Sequence, residues 1–304
     1  MGIDLGCYGI DVTETTPLQW SAYICDIVDY CANGGIVTIS AHWANPSGNT
    51  MDDAKCRGHL GYGISKEDYA QAFTDLVTDG TVLNSRFKQE LECNAKFLRA
   101  LEENGVPVIW RPLHEGNGDW FWFCTIQAGQ QILDENYYIN LWKYVYNYFE
   151  NEQNLSNLIW NFSPNYSQNN GNEAYSPLST TYLYPGDDVC QMIGVDWYSE
   201  GNLEITDGDS YRKLIDRADK PGAITEFGPT GKILSESHEK QKQLYNAMDL
   251  YDDLIALTVQ GYSFVYIMTW SGQWSIPHMG NGREFMETAL TLDQNDVSEL
   301  FRNP

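Results

Sequence analysis

A single α/β domain of the (β/α)8 barrel class is what three features of this 304-residue chain predict. Short apolar strand-like runs alternate with helical stretches along the whole chain, which calls for parallel strands joined by crossover helices. Polar and aromatic residues follow directly on the ends of several of those runs, always on the C-terminal side, as on the functional rim of such a barrel. No repeat, low-complexity tract or linker interrupts the chain, so residues 1–304 read as one domain. An open doubly wound sheet also alternates strand and helix, but it gathers its site at one switch point.

Gly2 to Gly6 is a short apolar run, read as a strand. Leu18 to Ala32 has a helical period and is closed by Asn33, Gly34 and Gly35. Ile36 to Ala41 is the next strand and runs into His42 and Trp43; Met51 to Gly63 is irregular. Ser65 caps a helix, with Asp68 three residues on, a loose capping box. A long helix from Val82 to Glu103 ends at Asn104 and Gly105. Val106 to Trp110 is an apolar run with no helical period, and Gly116 to Asp119 is a turn. Asn136 to Glu150 is helical and rich in tyrosine. Strands follow at Leu158 to Phe162 and at Val189 to Val195, the second running into Asp196, Trp197 and Tyr198. Tyr211 to Ala218 is a helix, and Ala223 to Thr225 is a strand that ends at Glu226. Ser237 to Val259 reads as one long helix, Ser263 to Met268 as a strand before Trp270, and Phe285 to Phe301 as a closing helix. That makes seven strands where a closed barrel needs eight.

Lys plus Arg number 18 and Asp plus Glu 42, so the net charge is 18 − 42 = −24. Such a surface repels nucleic acid, anionic lipid and anionic polysaccharide, and fits a neutral ligand. No run of 18 apolar residues exists, so nothing is expected to cross a membrane. No basic and apolar leader opens the chain. The seven cysteines are odd in number, so at least one is free or pairs between chains, and they lack zinc-ligand spacing; no metal and no cofactor is expected. Trp43, Trp120, Trp122, Trp160, Trp197, Trp270 and Trp274 lie at or just after strand ends, which suggests a ring-lined cleft where flat faces stack on sugars.

The chain is organised around Trp110 to Phe123, WRPLHEGNGDWFWF. Arg111, His114 and Glu115 stand at the junction of a buried strand and a turn, followed at once by four rings. Charged groups avoid such positions unless paired, and large rings avoid loops unless they cover something. An ion pair of Arg111 with Glu115 under packing rings would satisfy that pattern. A second glutamate, Glu226 in PGAITEFG, also ends a short apolar strand. Two carboxyl groups at two strand ends match the need of glycoside hydrolysis, where one protonates the leaving oxygen and the other attacks or activates water.

These residues resemble a family. Trp-Arg-Pro-Leu-His-Glu followed by Trp-Phe-Trp is similar to the acid/base region of glycoside hydrolase family 26, the family of many endo-β-1,4-mannanases. The resemblance continues in order through WNFSPN (160–165), YPGDD (184–188), IGVDWY (193–198), ITEFG (224–228) and MTWSG (268–272). One departure is Phe123, where a third tryptophan is common. The resemblance implies a retaining mechanism with Glu115 as acid/base and Glu226 as nucleophile, the latter held by Tyr198 and Arg111. It places His42, Trp43, His114, Trp120, Tyr198 and Trp270 on the sugar, with Arg111 and Asp196 supporting them. It implies a secreted monomer acting outside the cell on β-mannan or a related neutral polysaccharide. In that family the acid/base follows the fourth strand and the nucleophile the seventh. Here they follow the third and sixth, so the first strand is expected ahead of Met1, unless one lies unread between Gly48 and Gly63. A mixed-linkage β-glucanase or β-1,3-xylanase of the same family would share both glutamates. A non-enzymatic carbohydrate-binding protein would need the rings but not both carboxyl groups.

Overall fold

The computed structural model describes residues 1–13, 15–48, 55–61, 63, 65–127, 130–166, 179–199, 210–229, 237, 239–240, 243, 249–270, 272, 275–288 and 291. Seven strands form one parallel sheet in chain order. They are β1 (Gly2–Gly6), β2 (Val37–His42), β3 (Val108–Arg111), β4 (Leu158–Phe162), β5 (Met192–Ser199), β6 (Gly222–Pro229) and β7 (Phe264–Ile267). Because every pairing is parallel, the C-terminal ends carrying His42, Arg111, Asp196 and Glu226 all lie on one edge.

The sheet curls on itself. Asn161 on β4 donates to the Tyr266 hydroxyl on β7 at 3.2 Å, and that hydroxyl lies 3.5 Å from Thr38 Oγ1 on β2. Three strands remote in sheet order thus meet inside it, as the interior layers of a barrel do. A Cβ on Gly2 would lie 2.1 Å from Met268 Sδ, so the start of β1 packs directly against the residue after β7. Among the described residues β1 and β7 share no backbone ladder, and side chains bridge that side. No further strand falls in the described part of 48–63. There Arg57 makes only a single antiparallel bridge to Phe121.

Capping chemistry sets the helix starts. In α1 (Pro17–Ala32), Thr16 accepts from the Gln19 amide at 3.4 Å and Gln19 Oε1 accepts from the Thr16 amide at 2.6 Å, a reciprocal box with proline in the first turn. In α2 (Lys66–Leu76), Ser65 accepts from the Asp68 amide at 3.1 Å. Thr81 does the same for α3 (Val82–Glu103), which buries Leu83, Phe87, Leu91, Ala95 and Leu98 on one face. Helix α4 (Glu135–Asn147) continues as a π-helical turn, Tyr148–Glu152. Helix α5 is Ser210–Ala218, α6 is Leu250–Val259 and α7 is Gly282–Met286.

Two helices depart from the sequence reading. Helix α6 starts with its own cap, Asp249 accepting from the Asp252 amide at 3.1 Å. Residues 239–240 and 243 are also helical, so the long helix predicted over 237–259 is two. The closing helix predicted from Phe285 overlaps α7 only at Phe285 and Met286, and most of it lies outside the described residues.

The tryptophans depart further. Trp43, Trp122, Trp160 and Trp197 are fully buried and belong to the core rather than a cleft, while Trp120 and Trp270 are half-buried. Trp274 lies outside the described residues. For three of them the physical reason is visible in the indoles: Trp43 donates to the Pro112 carbonyl, Trp122 to the Trp43 carbonyl at 2.9 Å, and Trp160 to Glu150 at 2.6 Å, whereas Trp197 Nε1 finds no partner among the described residues. An indole whose N–H is met internally loses little by burying its large apolar area. All seven cysteines are thiols. Among the described residues no helix is long and apolar enough to cross a membrane.

Candidate active site

Glu115 sits four residues beyond the end of β3 with φ of +55°, a left-handed backbone that costs a glutamate roughly 1–2 kcal/mol. The surrounding chain holds it there. Its amide donates to the Ser163 carbonyl after β4 at 2.7 Å, and its carbonyl accepts from Gly118 at 2.9 Å. Asn117 and Asn165 clamp the two loops reciprocally: Asn117 Nδ2 donates to the Asn165 carbonyl at 2.8 Å, and the Asn165 amide donates to Asn117 Oδ1 at 2.7 Å. A Cβ on Gly118 would lie 2.4 Å from the Trp120 ring, so glycine there lets that ring fold back. The Glu115 carboxyl then receives Asn165 Nδ2 on Oε1 at 2.5 Å and the Trp120 indole on Oε2 at 2.8 Å. Burial, with the charges of Asp196 and Glu226, raises the Glu115 carboxyl well above the ordinary value, against the pull of those two donors.

Glu226 faces it from β6. Its Oε2 accepts from the Tyr198 hydroxyl at 2.7 Å and its Oε1 from Arg111 Nη2 at 3.0 Å. The same Nη2 donates to both oxygens of Asp196, while Arg111 Nε reaches Ser163 Oγ and Nη1 the Thr225 carbonyl, each at 3.3 Å. Ser163 and Thr225 hydroxyls donate to Asp196 Oδ1 at 2.8 and 2.6 Å. Burial pushes Asp196 up to about 7; the guanidinium and both hydroxyls oppose that shift, and their donors satisfy only the ionised form. Burial works against the Arg111 charge, but Asp196 and Glu226 outweigh it and hold the guanidinium above its ordinary value. One oxygen each of Glu115, Asp196 and Glu226 lies within 4.8 Å of the others. A cation, Arg111, already bridges two of these three acids.

Beside the carboxyl pair stand two imidazoles. His42 Nδ1 lies 2.6 Å from Asp4 Oδ1, and His42 Nε2 lies 3.2 Å from His114 Nε2. Phe121 packs on both rings at centroid distances of 5.0 and 5.3 Å, and Trp270 lies 6.4 Å from His42.

The glycosyl hydrolase family 26 model matches residues 14–281. The chain belongs to glycosyl hydrolase family 26. Among its family relatives, the mannan endo-1,4-beta-mannosidase A and B of Caldalkalibacillus mannanilyticus is 32% identical over 300 residues, covering 94% of this chain and 51% of that protein. A mannan endo-1,4-beta-mannosidase of Bacillus subtilis strain 168 is 29% identical over 274 residues, covering 90% of this chain and 66% of that protein. The solved structure of Bacillus subtilis mannanase BCman superposes with a TM-score of 0.73 at 26% identity, over 96% of this chain and 76% of that one. This family 26 chain therefore spans about half of the first curated relative and about two thirds of the second. The fold is that of the family's barrel, seen here as a curled parallel sheet of seven strands.

Around the carboxyl pair, the structure brings Glu115, Glu226, Arg111, Asp196, Tyr198, Trp120, His114 and His42 together. It does not pair Arg111 with Glu115, the ion pair the sequence allowed; Arg111 is spent on Asp196 and Glu226. Trp43, read as a sugar contact, is 1% exposed and packs on Phe87 and Trp110. Sequence reasoning missed Asp4, Asn117 and Asn165. Their signal was slight: a carboxylate inside the apolar run GIDLG, and two asparagines in turns that also suit turn geometry alone.

Proposed function

We propose that this chain carries the catalytic activity of a retaining endo-β-1,4-mannanase, cutting internal bonds of mannan, glucomannan or galactomannan outside the cell. The observation that carries this reading is the pairing of Glu115 with Glu226, oxygen to oxygen within 4.8 Å, in opposite environments. Retaining glycosidases hold their carboxyl groups about 5–5.5 Å apart, whereas inverting ones leave about 6.5–9.5 Å for a water. Burial, with the charges of Asp196 and Glu226, raises Glu115 well above the ordinary carboxyl value, the shift a general acid needs to keep its proton. Both of its neighbours are donors, so that proton occupies a lone pair facing neither of them, toward the leaving oxygen.

In the first step a Glu226 oxygen bonds to the anomeric carbon as the glycosidic C–O bond breaks, and the Glu115 proton passes to the departing oxygen. In the second, Glu115 takes a proton from water, whose oxygen attacks the anomeric carbon and releases Glu226. Tyr198 and Arg111 orient Glu226 for both steps. Trp120 and Trp270, half-buried at the rim, offer ring surface to the flanking sugars. The mannosidases named above support mannan as the substrate class, and a net charge of −24 suits a neutral polymer. The test is reducing-sugar release from galactomannan, glucomannan, lichenan and β-1,3-xylan. Release chiefly from the mannans is expected; release chiefly from lichenan or the xylan would reassign the substrate, and none from any would leave a binding protein.

A further inference from the structure

The hydrogen-bond chain Asp4–His42–His114 has a proton count that its geometry constrains. A carboxylate only accepts, so His42 Nδ1, 2.6 Å from Asp4 Oδ1, carries a hydrogen. The contact between His42 Nε2 and His114 Nε2, at 3.2 Å, also needs one hydrogen. Two arrangements satisfy it. If His42 is an imidazolium, its Nε2–H fills the contact and neutral His114 carries its hydrogen on Nδ1. If His42 is neutral, His114 Nε2 must carry the hydrogen, and its Nδ1 is a bare acceptor.

His114 is 1% exposed, and its Nδ1 finds no hydrogen-bond partner among the described residues. Asp4 Oδ2 is likewise unpartnered, while Ser40 Oγ donates to Asp4 Oδ1 at 2.9 Å. A buried polar atom left unmet in the protein is costly unless something else meets it. With Nε2 committed to His42, Nδ1 is the one ring nitrogen His114 has left for a sugar.

We propose that Asp4 is a positioning residue for the reaction: by holding His42 as an imidazolium, it makes His114 Nδ1 a hydrogen-bond donor to the substrate. This rests on the mannanase reading only for the identity of that substrate. The charges around the pair agree. Burial opposes a charge on His42, but the Asp4 carboxylate and its hydrogen bond, with lesser help from Cys56 and Glu226, hold it above the ordinary histidine value. Burial, then the charges of His42 and Arg111, push His114 well below that value, so it is the neutral partner. The Tyr8 ring edge and Phe121 complete the wall around His42 without adding charge.

The test is the isosteric Asp4→Asn variant, which keeps an acceptor and removes the charge, with Ser40→Ala as a control that leaves the charge in place. In 15N-histidine-labelled protein, with signals assigned by His42→Ala and His114→Ala, wild type at pH 7 should show the His42 ring doubly protonated beside a His114 protonated on Nδ1. In Asp4→Asn, His42 should become neutral at pH 7 and the His114 proton should move to Nε2. On soluble galactomannan, kcat/KM of the variant relative to wild type should fall up to about tenfold at pH 7, the upper scale of one neutral hydrogen bond, and should recover as the pH is lowered and His42 regains its proton. Ser40→Ala should leave both readouts as in wild type. An unchanged His114 tautomer in Asp4→Asn, or a kinetic loss of the same size at every pH, would overturn the proposal. A wild type inactive on mannans would sink the substrate reading instead, and the spectra would still decide the role of Asp4.

Discussion

Arg111 Nη2 donates to both oxygens of Asp196, at 2.6 and 2.7 Å, and to Glu226 Oε1 at 3.0 Å. One nitrogen thus ties the proposed nucleophile to a buried acid, whose carboxylate is otherwise met by the Ser163 and Thr225 hydroxyls. The planar guanidinium also reaches Ser163 and the Thr225 carbonyl, a set of directions that a lysine ammonium cannot reproduce. Arg111→Lys should therefore cost about 3–5 kcal/mol of stability, since Asp196 is left buried and poorly paired, along with most of the activity. Urea denaturation checks this; a loss under about 1 kcal/mol would show the network to be dispensable.

Trp120→Phe should separate stacking from hydrogen bonding. The sequence suggests a platform for sugar, but the indole N–H also donates to Glu115 Oε2 at 2.8 Å. That donor favours the ionised acid, so removing it should raise the Glu115 pKa further and move the alkaline limb of the pH profile to higher pH. The variant keeps a ring, so KM should change less than kcat. A raised KM with an unmoved limb would leave stacking as the whole of the Trp120 contribution.

Much of this was legible in the chain. Val82–Glu103 carried unbroken helical spacing to a clear Asn-Gly stop, and α3 has those bounds. Glu115 and Glu226 stood out because a carboxyl group at the end of an apolar run is costly. The misreadings have physical causes. Residues 237–259 contain no proline and no glycine, so the break at the Asp249 cap looks from sequence like continued helix. A tryptophan after a strand can face the rim or turn under it, and only the Pro112 carbonyl waiting for Trp43 Nε1 decides that. Asp4, Asn117 and Asn165 act through partners 38, 48 and 50 residues away, a pairing that no local pattern encodes.

Glu115→Gln should gain on wild type in stability as the pH rises, set against a fixed loss because its amide nitrogen cannot accept from Asn165 or Trp120 as a carboxyl oxygen does. A carboxyl group whose folded pKa is raised keeps its proton in the window where the unfolded chain has released it. The native state therefore loses stability as pH rises from the ordinary value of 4.5 through the raised one. Glutamine has no charge to bury, so its advantage in melting temperature should grow with pH across that window. Below about pH 4 that gain should vanish, since both side chains are then neutral, and only the fixed cost of the lost acceptor should remain. A stability difference between variant and wild type that does not change with pH across that window would contradict a raised Glu115.

The most direct measurement of the central claim is azide rescue of Glu226→Ala on an activated β-mannoside, with the product anomer read by NMR. Loss of the nucleophile typically costs many powers of ten, and the fold should survive because Arg111 keeps Asp196. Azide should restore turnover and give the α-mannosyl azide, formed by a single displacement with Glu226 absent. Substantial residual hydrolysis of mannan without azide, or a β-mannosyl azide, would place the nucleophile on another residue.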